Sequence, residues 1–257
     1  MLLVKRINIV WDALLVAIRS PCSWRWTNWS WKLSSRVLGR LSKLGRNSIT
    51  LGVMASHGGT NLQAIIDACE DDRIYGSVSV VISNNSRSCT FGRARKSGIN
   101  AIHLSSRTHP EPGELQSAIR QVMKKHDVDL VVLAGYMRKI GLAVLDAFPN
   151  RVINSHPALL PKYGGKGMYG DYVHSAVLNA GDKESGITIH LVDTEYDQGP
   201  TVSQIKIPVL PRDTVDSLRS RVQRKEHFFW VETIERIRTG DIDLDETAKD
   251  FRRIGSA

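Results

Sequence analysis

The 257-residue chain contains no apolar run as long as the roughly 20 residues needed to cross a bilayer. It has few cysteines, and the three present, Cys22, Cys69 and Cys89, are widely spaced and odd in number. This spacing indicates neither a disulfide framework nor a cysteine metal site, and it is typical of a protein from a reducing compartment. Acidic residues are scarce in one place, since residues 1–46 contain only Asp12 beside nine Lys or Arg.

The formal net charge of +9 is therefore concentrated in the first 46 residues, which carry +8. The remaining residues hold 26 basic and 25 acidic side chains, a balance of +1. Because residues 47–257 are near neutral, the net charge of the whole chain is no evidence that this part binds nucleic acid. We expect no nucleic acid among its partners.

Residues 1–46 also hold five of the six tryptophans. We expect this basic, Trp-rich extension to be disordered and leave it out of the fold prediction. Three interpretations stay open: an organelle transit peptide, an arm that contacts a membrane surface or RNA, and upstream sequence read from a misassigned start codon. Residues 47–257 are predicted to form a single domain, with a first half at 47–150, a second half at 151–240 and a charged surface tail at 241–257.

Within this domain, short apolar runs rich in β-branched residues alternate with stretches of helical periodicity. The pattern predicts an α/β fold with a doubly wound, mostly parallel sheet. The continuous apolar run 129–137 is typical of a central parallel strand. In the C-terminal half, 201–210 is predicted to pair with 186–193 as an antiparallel edge strand. The predicted strands are 48–55, 77–84, 101–104, 129–137, the segment around 152–153, 186–193 and 201–210, and the predicted helices are 62–70, 91–97, 114–126, 172–179 and 218–238.

A glycine-containing turn, Ser56 to Asn61, joins the first strand to the first helix. Glycines let the backbone approach a ligand closely, and the free N–H groups and dipole of a helix N-terminus favour an anion. The turn therefore predicts a phosphate site. The alternative is an ordinary strand-to-helix turn with Thr60 or Asn61 as a side-chain cap.

The segment RVINSHPALLP, residues 151–161, places polar side chains at the end of a buried strand. Ligands of α/β proteins bind at such strand ends. Asn154 and His156 are two residues apart and share a strand face, so an amide and an imidazole could both donate to an oxyanion. The loop 135–138 follows the neighbouring predicted strand and should line the same crevice. The alternative is a strand-end histidine that hydrogen-bonds a loop.

Five segments together resemble the folate-dependent formyltransferases, and within them the phosphoribosylglycinamide formyltransferases. They read GTNLQAIID, VVLAGYMRKI, INSHPALLPKYGG, GITIHLVDTEYDQGP and VQRKEH, and the likeness covers about residues 48–239. The resemblance implies the formyltransferase fold and transfer of a formyl group from 10-formyltetrahydrofolate to the amine of phosphoribosylglycinamide, in purine (IMP) biosynthesis. Its partners would be these two small molecules, with 10-formyltetrahydrofolate as co-substrate and no metal.

The resemblance also implies roles for individual residues. Asn154, His156 and Asp197 match the catalytic trio, and we expect the Asp197 carboxylate to raise the pKa of the His156 imidazole. The residues matching the phosphate and ribose contacts are Gly59, Thr60, Asn61 and Glu226. Those matching the folate contacts are Met137, Arg138, Lys139, Ile140, Asp193, Thr194, Glu195, Tyr196 and Asp197, with Asn154 and with Arg107 nominated as the basic contact. Thr188 and His190 are expected near the site, behind these contacts.

Two other activities stay open: a folate-dependent formyltransferase acting on another amine, and a formyltetrahydrofolate hydrolase. A methionyl-tRNA formyltransferase would carry a C-terminal tRNA-binding domain, for which we expect too few residues after the last helix. His57 and the stretch GGKGMYG depart from the pattern known in relatives, so contacts there are left open. The expected compartment is the cytoplasm, or an organelle if residues 1–46 are a transit peptide, and a homodimer stays open.

Overall fold

A computed structural model describes residues 48–111 and 113–255. Its strands are β1 (Ile49–Met54), β2 (Gly76–Ser83), β3 (Asn100–His103), β4 (Leu130–Leu133), β5 (Val152–His156), β6 (Glu184–Leu191) and β7 (Thr201–Pro208). Its helices are α1 (Thr60–Glu70), α2 (Thr90–Lys96), α3 (Glu114–Lys125), α4 (Leu142–Leu145), α5 (Asp171–Asn179), α6 (Val215–Thr239) and α7 (Leu244–Gly255).

The seven strands form one sheet in the order β3-β2-β1-β4-β5-β6-β7. Strands β1 to β5 pair in parallel, and β6 pairs antiparallel with both β5 and β7. The chain moves outward from β1 in one direction through β2 and β3, then crosses to β4 on the other side. Such a reversal opens a crevice at the carboxyl ends of the strands, where ligands of α/β proteins bind.

Apolar side chains cover both faces of this sheet. One core lies against α1 and α6 and includes Leu51, Val53 and the fully buried Trp230. The other lies against α3 and includes Met54 and Met123. Gly52 on β1 faces α3, and a Cβ there would lie 2.4 Å from the Met123 sulfur, so the missing side chain lets the helix approach the sheet. Both faces of the parallel part are thus buried, as its near-continuous apolar strands predict.

The predicted fold class is confirmed, and each predicted strand is present. β4 lies between β1 and β5, so the run at 129–137 is a central parallel strand as predicted. The strand is shorter than that run, because the chain turns at Gly135, where φ is +77°. The Gly135 carbonyl accepts a hydrogen bond from Ser56 N–H at 3.0 Å, which joins this turn to the end of β1.

The tail after Gly240 is more ordered than a charged surface segment suggests. It forms helix α7, and Leu244 and Ala248 on it are buried. Among residues 48–111 and 113–255, no helix combines the length and apolarity required to span a membrane. The predictions for residues 1–46 fall outside the described residues.

Candidate functional site

Strands β5 and β6 and the loop after β6 bring the predicted catalytic side chains together. In the antiparallel pairing of β5 with β6, Asn154 lies opposite His190. Asp197 comes from the loop between β6 and β7, and its carboxylate lies between two imidazoles. Asp197 Oδ2 is 3.4 Å from His156 Nδ1, and Oδ1 is 3.5 Å from His190 Nε2. Two segments distant in the sequence therefore form one polar cluster.

Asp197 is held in this position by its backbone. Its φ is +57°, a left-handed conformation that aspartate adopts more readily than most residues. Its Oδ2 also accepts a hydrogen bond from Gly165 N–H at 3.0 Å. The loop after β5 and the loop after β6 are thus joined at the carboxylate.

His156 is buried, and each of its ring nitrogens faces an acceptor. Nε2 lies 2.7 Å from the carbonyl oxygen of Tyr163. A carbonyl only accepts, so Nε2 carries a proton. The nitrogen facing Asp197 is then Nδ1, which is the one free to gain or lose a proton.

Burial is the largest influence on the pKa of His156 and lowers it below the ordinary value of 6.5. The charge of Asp197 raises that pKa, as expected from the sequence, but burial outweighs it. The net result is a lowered pKa, because the sequence shows the carboxylate but not the desolvation. For Asp197, burial would raise the pKa, yet its interactions with His190 and His156 and the hydrogen bond from Gly165 N–H together lower it.

His190 lies closer to the centre than expected. Its Nδ1 donates to the Leu191 carbonyl at 2.8 Å, so its Nε2 can accept from the Asn154 amide at 3.1 Å. This bond uses one of the two amide protons of Asn154 and leaves the other for a ligand. Thr188 lies farther back, where its hydroxyl donates to the Ala158 carbonyl at 2.7 Å and steadies the loop after β5.

The predicted phosphate turn begins helix α1 with Gly59 as the N-cap, at φ +67° and without a side-chain cap. The alternative of a turn capped by Thr60 or Asn61 is therefore wrong. The first N–H groups of α1 have no side-chain partner in the described structure, which leaves them available to an anion. The Thr60 hydroxyl instead accepts a hydrogen bond from Gln223 of α6 at 3.1 Å.

Side chains of helix α2 and of the residues just before it donate hydrogen bonds to the backbone carbonyls of this turn. The His57 carbonyl accepts hydrogen bonds from Ser88 and Thr90, at 2.6 and 3.2 Å. Arg93 Nε donates to the Gly58 carbonyl at 2.8 Å. With these carbonyls engaged by Ser88, Thr90 and Arg93, the backbone of the turn is held in place before any ligand binds.

Sequence reasoning missed Gln223 and Arg93 as residues that contact the turn. Gln223 lies three residues before Glu226 on α6, so helical spacing places both on one face and could have identified it. Nothing in the spacing of Arg93 signals its contact, because that contact depends on how α2 packs beside α1.

Glu226 lies behind the catalytic strand and not on the open helix surface. The Ser155 hydroxyl donates to Glu226 Oε1 at 2.5 Å. Burial raises the pKa of Glu226 and outweighs the hydrogen bonds from Ser155 and Asn61, which lower it. Glu226 therefore links β5, which carries Asn154 and His156, to the first turn of α1.

A small cavity adjoins the cluster, and a larger cavity that shares three of its lining residues lies beside it. The smaller one is lined by Asn154, His190 and Asp197 together with residues predicted for folate, namely Arg138, Lys139, Ile140, Asp193, Glu195 and Tyr196. The larger one has a volume of about 670 Å³ and shares Arg138, Lys139 and Tyr196 with the first. Arg107 lines the larger cavity together with Arg138 and Lys139, and no acidic side chain among the described residues lines it. Met137 and Thr194 line neither, although Met137 N–H is fixed by the Ser56 hydroxyl at 2.8 Å.

Comparison with known proteins agrees with this geometry. Residues 50–234 match the family model described as Formyl transferase. The chain is 40% identical over 185 residues to the chloroplastic phosphoribosylglycinamide formyltransferase of Arabidopsis thaliana, covering 72% of this chain and 63% of that protein. It is 36% identical over 196 residues to the phosphoribosylglycinamide formyltransferase of Escherichia coli K12, covering 76% and 90%.

Solved structures give the same result. The glycinamide ribonucleotide transformylase 1 of Symbiobacterium toebii superposes with a TM-score of 0.71 at 39% identity, covering 76% of this chain and 93% of that one. Since the family model matches most of the chain, and the matched segment carries the whole polar cluster, the chain belongs to the formyl transferase family.

Proposed function

We propose that this chain transfers the formyl group of 10-formyltetrahydrofolate to the amine of phosphoribosylglycinamide, in purine biosynthesis. The observation that carries the proposal is the convergence of Asn154, His156 and Asp197 in one polar cluster beside β5. The relatives named above support the choice of substrates. The products are formylglycinamide ribonucleotide and tetrahydrofolate.

The residues suit an addition and elimination at the formyl carbon. As the amine attacks, the formyl oxygen becomes an oxyanion, to which the remaining amide proton of Asn154 donates. His156 begins neutral, since burial lowers its pKa, and its Nδ1 takes one proton from the attacking amine. The imidazolium, stabilised by Asp197, then gives that proton to N10 of the folate, which leaves as an amine. The proton count balances, with one N–H lost and one formed.

The acceptor substrate is proposed to span the two sides of β5. Its phosphate binds the free N–H groups at Gly59, Thr60 and Asn61, where the helix dipole also favours negative charge. Glu226, beside Asn61 and Ser155, then lies where the ribose or the glycinamide amine would pass. This arrangement would deliver the amine to the cluster that contains Asn154 and His156.

The folate is proposed to bind across the two cavities. The pterin contacts the backbone of residues 137–140 and 193–197 beside Asn154, and the glutamate carboxylates extend into the larger cavity. Arg107 and Arg138 supply positive charge there, while Lys139 is 3.9 Å from Glu195 and faces the Tyr196 ring. A cavity lined by cations without acids suits a dianionic tail.

The test is a transfer assay with purified protein, 10-formyltetrahydrofolate and phosphoribosylglycinamide. Formylated ribonucleotide and tetrahydrofolate should appear in equal amounts. The same glycinamide riboside without its phosphate is the matched control and should react far more slowly. Equal rates with and without phosphate would favour another amine as acceptor, and release of formate without an acceptor would favour a hydrolase.

For the compartment, we propose the cytoplasm, with an organelle as the alternative if residues 1–46 are a transit peptide. The Arabidopsis thaliana and Vigna unguiculata relatives are named as chloroplastic, which supports testing the alternative. Sequencing the N-terminus of the natural protein distinguishes them, since a cleaved leader leaves a start near residue 47.

A further inference from the structure

The loop after β5 is fastened to the turn before β6 by a cluster outside the cavities. The Tyr163 hydroxyl donates to Asp182 Oδ2 at 2.7 Å, and Lys162 Nζ donates to the same oxygen at 2.6 Å. Lys162 Nζ also lies 4.9 Å from the centre of the Tyr163 ring. The Tyr163 side chain is thus held at its hydroxyl by the Asp182 carboxylate, and its ring contacts the Lys162 cation that binds the same carboxylate.

The backbone of Tyr163 points the other way, to the catalytic strand. Its carbonyl accepts the Nε2 proton of His156 at 2.7 Å. Tyr163 has a φ of +62°, a conformation that an aromatic residue adopts only when its surroundings hold it there. Tyr163 is therefore held at two points, by Asp182 at its hydroxyl and by His156 at its backbone carbonyl, and these contacts maintain its left-handed backbone.

We propose that Tyr163 and Asp182 are positioning residues for the formyl transfer: the Asp182-anchored Tyr163 carbonyl holds His156 in the tautomer whose Nδ1 faces Asp197 and the substrate. The tautomer of a histidine is set by the bond that its other nitrogen makes, and here that bond is to the Tyr163 carbonyl. Neither residue touches the reacting atoms. The proposal rests on the proposed function, since it assigns a proton transfer to Nδ1.

The groups that face His156 come from three directions. Asp197 lies on the loop after β6, His190 lies on β6, and His174 on α5 is close enough for its own pKa to be lowered by His156. Burial lowers the pKa of His156, and the Asp197 charge and the Tyr163 carbonyl both raise it. Loosening the carbonyl while leaving the other groups in place should therefore lower the pKa of His156 further.

The kinetic test uses Tyr163→Phe, which removes only the hydroxyl, and Asp182→Asn, which removes the charge. We expect kcat to fall about tenfold in each, the scale of a small misplacement of a catalytic group, with both KM values within twofold. The acid limb of kcat should move to lower pH. The double variant should be no slower than the single ones, because both act through one contact.

Glu184→Gln is the matched control, since Glu184 lies two residues after Asp182 and forms an exposed ion pair with Lys206 at 2.9 Å. Its kcat and pH profile should equal those of the parent protein. If Tyr163→Phe and Asp182→Asn lower only the melting temperature and leave kcat and its acid limb unchanged, the cluster merely fastens the loop and the proposal is overturned.

A second measurement needs neither a variant nor turnover. The ¹⁵N chemical shifts of His156 in the parent protein at a pH above its titration should show Nε2 protonated and Nδ1 bare. A proton on Nδ1 would overturn the proposal even if the variants fail to fold. If the protein makes no formylated product yet shows the Nε2 proton, the proposed function fails and the positioning of His156 stands.

Discussion

Ser155 and Glu226 form a 2.5 Å hydrogen bond behind the catalytic strand. Ser155 lies between Asn154 and His156, and successive side chains of a strand point to opposite faces. The Asn154 and His156 side chains therefore face the Asp197 loop, while Ser155 faces Glu226 of α6. In the proposed function, this stretch of three residues would contact the folate from one side and the ribonucleotide from the other.

Glu226→Gln should raise KM for phosphoribosylglycinamide by about tenfold or more, the loss expected for a hydrogen bond with a charged group. KM for the folate should stay within twofold, because Glu226 lines neither cavity. Steady-state kinetics with each substrate varied in turn check this. Glu232→Gln on the same helix, an exposed residue 4.0 Å from Arg236, is the control. Equal changes in both KM values would remove Glu226 from the acceptor site.

His156→Ala and Asp197→Asn should each reduce turnover by about 100-fold or more, as expected when an acid-base group or its charged partner is lost. Both side chains are nearly inaccessible, at 3% and 11% exposure, so solvent cannot replace them. His126→Ala and Asp216→Asn change the same residue types at sites outside the cluster and should leave turnover intact. Near-normal turnover in either site variant would exclude that residue from the mechanism.

The sheet could be predicted from the sequence because its strands are apolar runs. Helix α7 could not be predicted in this way. That helix buries Leu244 and Ala248 and carries charged residues around them, so its sequence reads as a solvated tail. Its position depends on contacts with elements far away in the sequence. Helix α4 was missed for another reason, since its four residues are too few to show a period.

In the site, strand periodicity alone predicted that the side chains of Asn154 and His156 share one face of a strand. Asp197 came only from resemblance, because its approach depends on the antiparallel pairing of β5, β6 and β7. The sign of the His156 pKa shift could not be read from the sequence either. Residue types show which charge lies near an imidazole, but only the packed structure shows how much water it loses.

The pH dependence of kcat should show an acid limb with a pKa below 6.5. The sign follows from burial, which lowers the pKa of His156 and keeps its Nδ1 available as a base at neutral pH. Turnover should therefore be full near pH 7 and fall as the pH drops through the lowered pKa. Rate profiles at saturating substrate check this, and a limb above 6.5 would show that Asp197 outweighs burial after all.

Removal of residues 1–46 should leave kcat and both KM values within twofold of the full chain. No residue proposed for the site lies in that segment, and the family match begins at residue 50. The two chains are compared in the transfer assay at equal concentration. If the shortened chain folds, as judged by circular dichroism, but no longer turns over, the extension has a part in function that the site does not explain.

Gly59→Ala should weaken binding of the acceptor and destabilise the fold, whereas Gly58→Ala should do neither. At Gly59 the left-handed φ of +67° costs a side chain about 1–2 kcal/mol, and its Cβ would lie 2.9 Å from the Thr90 hydroxyl. At Gly58 a Cβ would meet no atom within 4 Å. Because the Thr90 backbone also lies 3.2 Å from this Cβ, we expect the turn and its N–H groups to shift, so KM for phosphoribosylglycinamide should rise. The rise should shrink when the acceptor lacks its phosphate, and an equal rise for both acceptors would place the phosphate elsewhere.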